Sequence, residues 1–144
     1  MEKEQIQQFI TWLQEADLLM IHTGAGMSKD SGVPTYRDAS DGEWGKVTGE
    51  REGSIFDIMN PAYMEENPVY MWQRFARRID QFRDLTPHRG YFILMDWIKR
   101  FQLDYFCVTS NIDGQHLKSG AAPDKIREVH GSIFHMQCTV PCHQ

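Results

Sequence analysis

Leu18-Leu19-Met20-Ile21-His22-Thr23-Gly24-Ala25-Gly26-Met27-Ser28 is the stretch on which the fold turns. Its first four residues form a short continuous apolar run bounded by turn residues. Such a run suits a strand buried on both faces, as in a parallel sheet. The glycines break the run, and Ser28 through Ser31 are expected to start a short helix. Strand, glycine turn and helix together let the backbone approach a ligand closely and offer unpaired N–H groups to an anion, for which a pyrophosphate is the natural guest. The next glycine falls at 32, so the dinucleotide fingerprint Gly-x-Gly-x-x-Gly is not met. Alone, the turn fits an unliganded strand–helix connection equally well. Ser28 and Ser31 add hydroxyls, Gly32-Val33-Pro34 stiffens the exit, and Arg37 supplies a cation suited to bidentate contact with phosphate or carboxylate.

On the N-terminal side, Ile6, Phe9, Ile10 and Leu13 recur at helical spacing over residues 4–16. On the C-terminal side, residues 38–53 are rich in Gly, Asp and Ser and read as a mobile loop carrying Trp44. Helical spacing returns over 61–83 with Val69, Trp72, Phe75, Ala76, Ile79 and Phe82, and Pro61 and Pro68 each suit a helix first turn. Thr86-Pro87 should open the next helix, whose apolar residues are Phe92, Leu94, Met95, Trp97 and Ile98. Asp104 to Thr109 is a second buried strand, and Ile126 to Val129 a third, very short one. The order strand, helices, strand, turn, strand predicts an α/β architecture with a parallel sheet, interrupted by a helical excursion over about 40–85.

Composition narrows the function. The 144 residues are 41% hydrophobic, 12% aromatic and 24% charged, which excludes collagen-like, low-complexity and wholly disordered chains. Fifteen Lys and Arg against twenty Asp and Glu leave a formal charge of −5 with no basic block, so nucleic acid is not the expected partner. No apolar run approaches the roughly 18 residues of a membrane span. Met1-Glu2-Lys3-Glu4-Gln5 is acidic where a signal peptide would be basic and then apolar. Three cysteines are too few for a disulfide framework. A soluble, cytoplasmic protein is expected.

Three further motifs carry chemistry. Thr109-Ser110-Asn111-Ile112-Asp113-Gly114 ends the second strand, and ligands of open α/β sheets bind outside the carboxyl ends of strands. An ordinary turn explains Asn111 and Asp113 better when they are taken alone. Val129-His130-Gly131-Ser132 places an imidazole just after the third strand. A lone histidine is more often structural, yet it is the natural general base at neutral pH. Cys138-Thr139-Val140-Pro141-Cys142 has the spacing of half a tetrahedral zinc site. His135 and His143 lie near enough in sequence to complete the set locally, but His143 adjoins Cys142, so the two side chains diverge, and a second cysteine pair is expected further along. Cys107, inside an apolar strand, reads as an inert buried thiol.

Together these residues resemble the sirtuin family of NAD-dependent protein deacylases. The family pattern Gly-Ala-Gly-x-Ser-x-x-Ser-Gly-Ile-Pro-x-Phe-Arg is matched by the residues from Gly24 to Arg37, with Val33 for Ile and Tyr36 for Phe. Thr-Gln-Asn-Ile-Asp-x-Leu-His is matched by Thr109 to His116, with Ser110 for Gln and Gln115 for Leu. Glu-Leu-His-Gly-Ser is matched by Glu128 to Ser132, followed by the cysteine pair. Thr86-Pro87-His88 is more loosely similar to the family's Pro-Asn-x-x-His segment. The departures look like a divergent bacterial branch, and the matches cover about the first half of a family catalytic core.

The resemblance implies a partial Rossmann-like NAD-binding domain over residues 1–135 and the beginning of a zinc-binding lobe over 136–144. It implies transfer of the acyl group from an acylated lysine of a protein or peptide to ADP-ribose, with release of nicotinamide. Gly24, Ala25, Gly26 and Ser28 would cradle the NAD phosphates and ribose. Val33, Tyr36, Arg37, Asn111, Ile112 and Asp113 would line the nicotinamide pocket, Asp113 accepting from the carboxamide. His130 would be the base of the catalytic set His130, Asn111 and Asp113, and Cys138 and Cys142 two of four ligands to a structural zinc. Two alternatives stay open: NAD cleavage or mono-ADP-ribosyl transfer in the same pocket, or a fragment that binds NAD without turnover.

Overall fold

The computed structural model describes residues 3–35 and 60–138. The loop expected over 38–53 with Trp44, and the candidate residues Tyr36, Arg37 and Cys142, lie outside the described residues. The elements in chain order are α1 (Lys3–Glu15), β1 (Leu18–Thr23), α2 (Ala25–Lys29), α3 (Pro61–Glu66), α4 (Pro68–Asp84), α5 (Arg89–Phe101), β2 (Asp104–Thr109), α6 (Gln115–Lys118), a 3-10 turn (Pro123–Lys125) and β3 (Ile126–Glu128).

The strands form a parallel sheet in the order β1-β2-β3. Leu18 stands opposite Asp104 and Thr23 opposite Thr109, so β1 and β2 end level with each other. Thr109 in turn faces Glu128 of β3. The expected α/β fold with a Rossmann-like parallel sheet is therefore what the chain adopts. Cys107 of the central strand has no exposed surface and packs with Ile21 of β1 and Ile98 of α5. Burial pushes its thiol up to about 11, as an inert thiol requires.

β1 departs from the expected burial on both faces. Leu19 and Ile21 pack toward α5, whereas Leu18 and Met20 are about half exposed, at 51% and 49%. Alternate side chains of a strand point to opposite faces, and among the described residues α5 packs on the face that carries Leu19 and Ile21. The strand also runs two residues further than the apolar run, because His22 and Thr23 keep pairing with Val108 and Thr109.

Helix boundaries follow local chemistry. α2 begins at Ala25 rather than Ser28, with Gly24 extended as its N-cap. The helical stretch over 61–83 is divided at Asn67, because Pro68 disfavours the helical conformation in the residue before it. Pro61 and Pro68 do occupy first-turn positions. α5 starts at Arg89, two residues beyond Pro87, because His88 is its N-cap and its Nδ1 accepts from the Gly90 amide at 3.0 Å. Gly90 is what lets the ring fold over the helix end, since a Cβ there would lie 2.4 Å from His88 Cε1. α1 is held to α5 by an edge-to-face contact of Phe9 and Trp97 at 5.3 Å.

Candidate functional site

Because β1 and β2 end level, Thr23 and Thr109 meet, and their hydroxyls bond at 2.8 Å. The chain leaves β1 through Gly24 and β2 through Ser110, whose amide donates to Thr23 O at 3.1 Å. Asn111 then turns back under the glycine loop. Its backbone amide donates to Thr109 Oγ1 at 3.0 Å, and its Nδ2 donates to Gly24 O at 2.9 Å and to Ser28 Oγ at 3.0 Å. A Cβ on Gly24 would lie 3.3 Å from Ser110 Oγ, so the glycine permits this close approach. Gly26 faces open space, with nothing within 4 Å of where its Cβ would be.

Ser28 and Ser31 have different surroundings from an open anion site. Ser28 is fully buried, and its hydroxyl also bonds Tyr91 Oη at 2.7 Å. Ser31 Oγ accepts from the His88 amide at 2.9 Å. Val33 is buried.

Asp113 is buried, and its Oδ1 accepts from the Gln115 amide at 3.0 Å, so it also fills the turn role. Its charge helps to raise the carboxyl of Glu128, although burial is the larger cause. His116, at the end of the same motif, is buried, and its Nε2 lies 2.8 Å from Thr23 Oγ1. Burial lowers its pKa and outweighs the opposing pull of Asp113.

His130 is exposed, and its Nδ1 lies 3.0 Å from Ser110 O. It shares a groove of about 270 Å³ with Ile112 and Ile133 on one side and Trp72, Phe75 and Ile79 of α4 on the other. Gly24, Ala25, Gly26, Asn111 and Asp113 do not line that groove; Ser110 joins the two parts, its carbonyl on His130 and its hydroxyl beside Gly24. The structure therefore gathers Gly24, Ser28 and Asn111 into one cluster and Ile112 and His130 into an adjoining one.

Cys138 is exposed, and no three His, Cys, Asp or Glu side chains gather in metal-binding range among the described residues. Taken with Cys138 alone, these residues do not amount to a zinc site.

Sequence reasoning missed Tyr91. It is among the largest fully buried side chains, 1% exposed, with the His88 ring 5.1 Å and the His116 ring 4.9 Å from its own. Inside an apolar helix stripe a tyrosine gives no signal of its own. The Pro-Asn-x-x-His pattern could have found it, because laying the pattern's proline on Pro87 puts its histidine at position 91.

A parallel α/β sheet with a glycine turn and polar strand ends meeting at its carboxyl edge is a Rossmann-like arrangement, the class of fold in which ligands lie outside the carboxyl ends of the strands. Residues 24–144 match the sequence profile of the Sir2 family, and the chain belongs to that family. An NAD-dependent protein deacetylase of Oceanobacillus iheyensis is 37% identical over 128 residues, covering 88% of this chain and 50% of the relative. A mutant Sir2 homologue in complex with ADP-ribose superposes with a TM-score of 0.73 at 24% identity, covering 92% of this chain and 47% of that one. A Sir2 homologue in complex with NAD superposes with a TM-score of 0.69 at 25% identity, covering 88% and 45%. The chain spans about half the length of the curated relatives it matches.

Proposed function

We propose that this chain serves an NAD-dependent protein lysine deacylase of Sir2 type, which passes an acyl group from lysine to ADP-ribose and releases nicotinamide. One observation carries the reading: Asn111 Nδ2 bonds the Gly24 carbonyl at 2.9 Å while the neighbouring Ser110 carbonyl holds His130 at 3.0 Å. Glycine turn, strand end and imidazole thus form one connected unit, as the order of the motifs requires.

In this reading NAD, when bound, supplies the ADP-ribose that accepts the acyl group. The open side of Gly26 fits a close approach of its phosphates to backbone. Asn111 and Asp113 orient the nicotinamide ribose and carboxamide, with Ile112, Val33, Tyr36 and Arg37 assigned to the same pocket by the family pattern. His130 takes a proton through Nε2, and the apolar groove beside it receives the acyl-lysine. Residues 1–135 serve the NAD-binding domain and 136–144 open a zinc-binding lobe. There Cys138 and Cys142 would contribute two of the four ligands of a structural zinc, a part supported by their spacing and not by a gathered site.

The test is product analysis by mass spectrometry after incubation with NAD and acetyl- or longer acyl-lysine peptides. Deacylated peptide, nicotinamide and O-acyl-ADP-ribose in equal amounts are expected. Free or protein-linked ADP-ribose with the peptide still acylated would replace this reading by NAD cleavage or ADP-ribosyl transfer.

A further inference from the structure

Asn111 has two amide hydrogens, and both are committed, one to Gly24 O and one to Ser28 Oγ. Turning the amide over would set Oδ1 against the Gly24 carbonyl, two acceptors facing each other, so its orientation is fixed. Oδ1 is then the one polar atom of the side chain left to accept from a donor. Ser28 is held by a second partner in its turn, the Tyr91 hydroxyl at 2.7 Å, which also lies against the Asn111 side chain. Neither Ser28 nor Tyr91 has surface to offer a ligand, at 0% and 1% exposed. Whatever they do, they do through Asn111.

Tyr91 is itself clamped. The His88 ring meets it at 64° and the His116 ring at 80°, both edge-on. His88 Nδ1 accepts from Gly90, so Nε2 carries the proton it donates to Met27 O at 2.7 Å, tying the clamp to α2. His116 is tied to the strand end through Thr23.

We propose that Tyr91 is a positioning residue of the nicotinamide-ribose pocket: its hydroxyl holds Ser28, Ser28 holds Asn111, and Asn111 thereby presents Oδ1 to a hydroxyl or carboxamide N–H donor of bound NAD. The inference rests on the NAD-dependent reading above and adds to it a residue that stands where the family pattern has histidine. A phenol in that place keeps the linkage neutral across the pH range in which an imidazole would titrate. The titratable groups around it are His88, His116 and Asp113.

The experiment compares the wild-type chain with Tyr91→Phe, Tyr91→His and Ser28→Ala, measuring NAD affinity by calorimetry, deacylation kinetics and thermal midpoint. Tyr91→Phe keeps the clamped ring and loses only the hydroxyl. It should lower kcat or NAD affinity by about tenfold or more, equivalent to the loss of one well-made hydrogen bond, with the KM for acyl-peptide unchanged. Ser28→Ala, which breaks the same link, should do likewise, and it decides the matter if Tyr91→Phe does not fold. Tyr91→His should recover most of the loss at pH 8 and gain an acid limb that the wild type lacks, because an imidazole titrates where a phenol does not. Wild-type NAD affinity and kcat in folded Tyr91→Phe and Ser28→Ala would overturn the proposal while leaving the deacylase reading intact. NAD binding that weakens in both variants, by a chain that never deacylates, would uphold it and overturn the deacylase reading. A wild-type chain that neither binds NAD nor deacylates would overturn both.

Discussion

His130 donates its Nδ1 hydrogen to the carbonyl oxygen of Ser110 at 3.0 Å. A carbonyl can only accept, so Nδ1 carries the proton and the neutral ring keeps Nε2 bare. A residue on the loop after β3 is thereby given the tautomer of a general base by a residue at the end of β2. His130→Ala is expected to lower deacylation by about 10²- to 10⁴-fold and to leave NAD affinity within about twofold, because the groove holding His130 does not include the glycine turn. Quantifying O-acyl-ADP-ribose alongside calorimetry checks both halves. Equal loss of both in a folded variant removes His130 from the role.

The fold was legible where burial is local and periodic. Leu18 to Ile21 and Asp104 to Thr109 are short apolar runs with turn residues behind them, and both are strands. The exposure of Leu18 and Met20 was not legible, because a run of four apolar residues looks the same whether one face or two is covered. Of the site, Gly24, Asn111 and His130 were readable from motif order. Their linkage was not: it runs through Ser110, a departure from the family pattern, and through its backbone carbonyl, which any residue would supply. Tyr91 bonds Ser28 through its hydroxyl and His88 caps a helix, and neither contact leaves a periodic trace in the sequence.

His116 makes the folded chain acid-sensitive. Thr23 donates its hydroxyl hydrogen to Thr109 Oγ1, so it accepts from His116 Nε2–H. Burial lowers its pKa in the folded state, while the unfolded chain takes up the proton near pH 6.5. The stability this residue contributes is therefore present above about pH 6.5 and is lost as pH falls below that value through the folded pKa. Glu128, raised chiefly by burial, works in the opposite direction, its contribution fading as pH rises from about 4.3 through its own folded pKa. The two are separated by comparing His116→Gln with wild type in thermal scans from pH 5 to 8. The variant should show the shallower acid decline, and parallel curves would clear His116 of the effect.

Lys118 closes the end of α4. Its ammonium donates to the carbonyls of Phe82, Arg83 and Leu85, the last two at 2.8 Å. One cation thus satisfies three acceptors where the helix leaves its last carbonyls unpaired. Lys118→Met keeps the stem and removes the donors, and should cost about 1–3 kcal/mol in urea unfolding. A loss below about 0.5 kcal/mol would show that water replaces the ammonium freely.

Gln115 is 1% exposed, and neither its Nε2 nor its Oε1 has a hydrogen-bond partner among the described residues. It occupies the position where the Sir2 pattern has leucine. A buried amide left unpaired costs about 1–3 kcal/mol, whereas leucine fills a similar volume with no such penalty. Its backbone N–H, the atom that Asp113 Oδ1 accepts from, survives the substitution. Gln115→Leu should therefore raise the thermal midpoint by several degrees with the amide of residue 115 still bonded to Asp113. The midpoint is measured by circular dichroism with and without NAD. A fall in the ligand-free midpoint would mean that the amide already has a partner in the folded chain. A rise without NAD, together with a smaller NAD-induced shift than wild type, would mean that the partner arrives with the nucleotide.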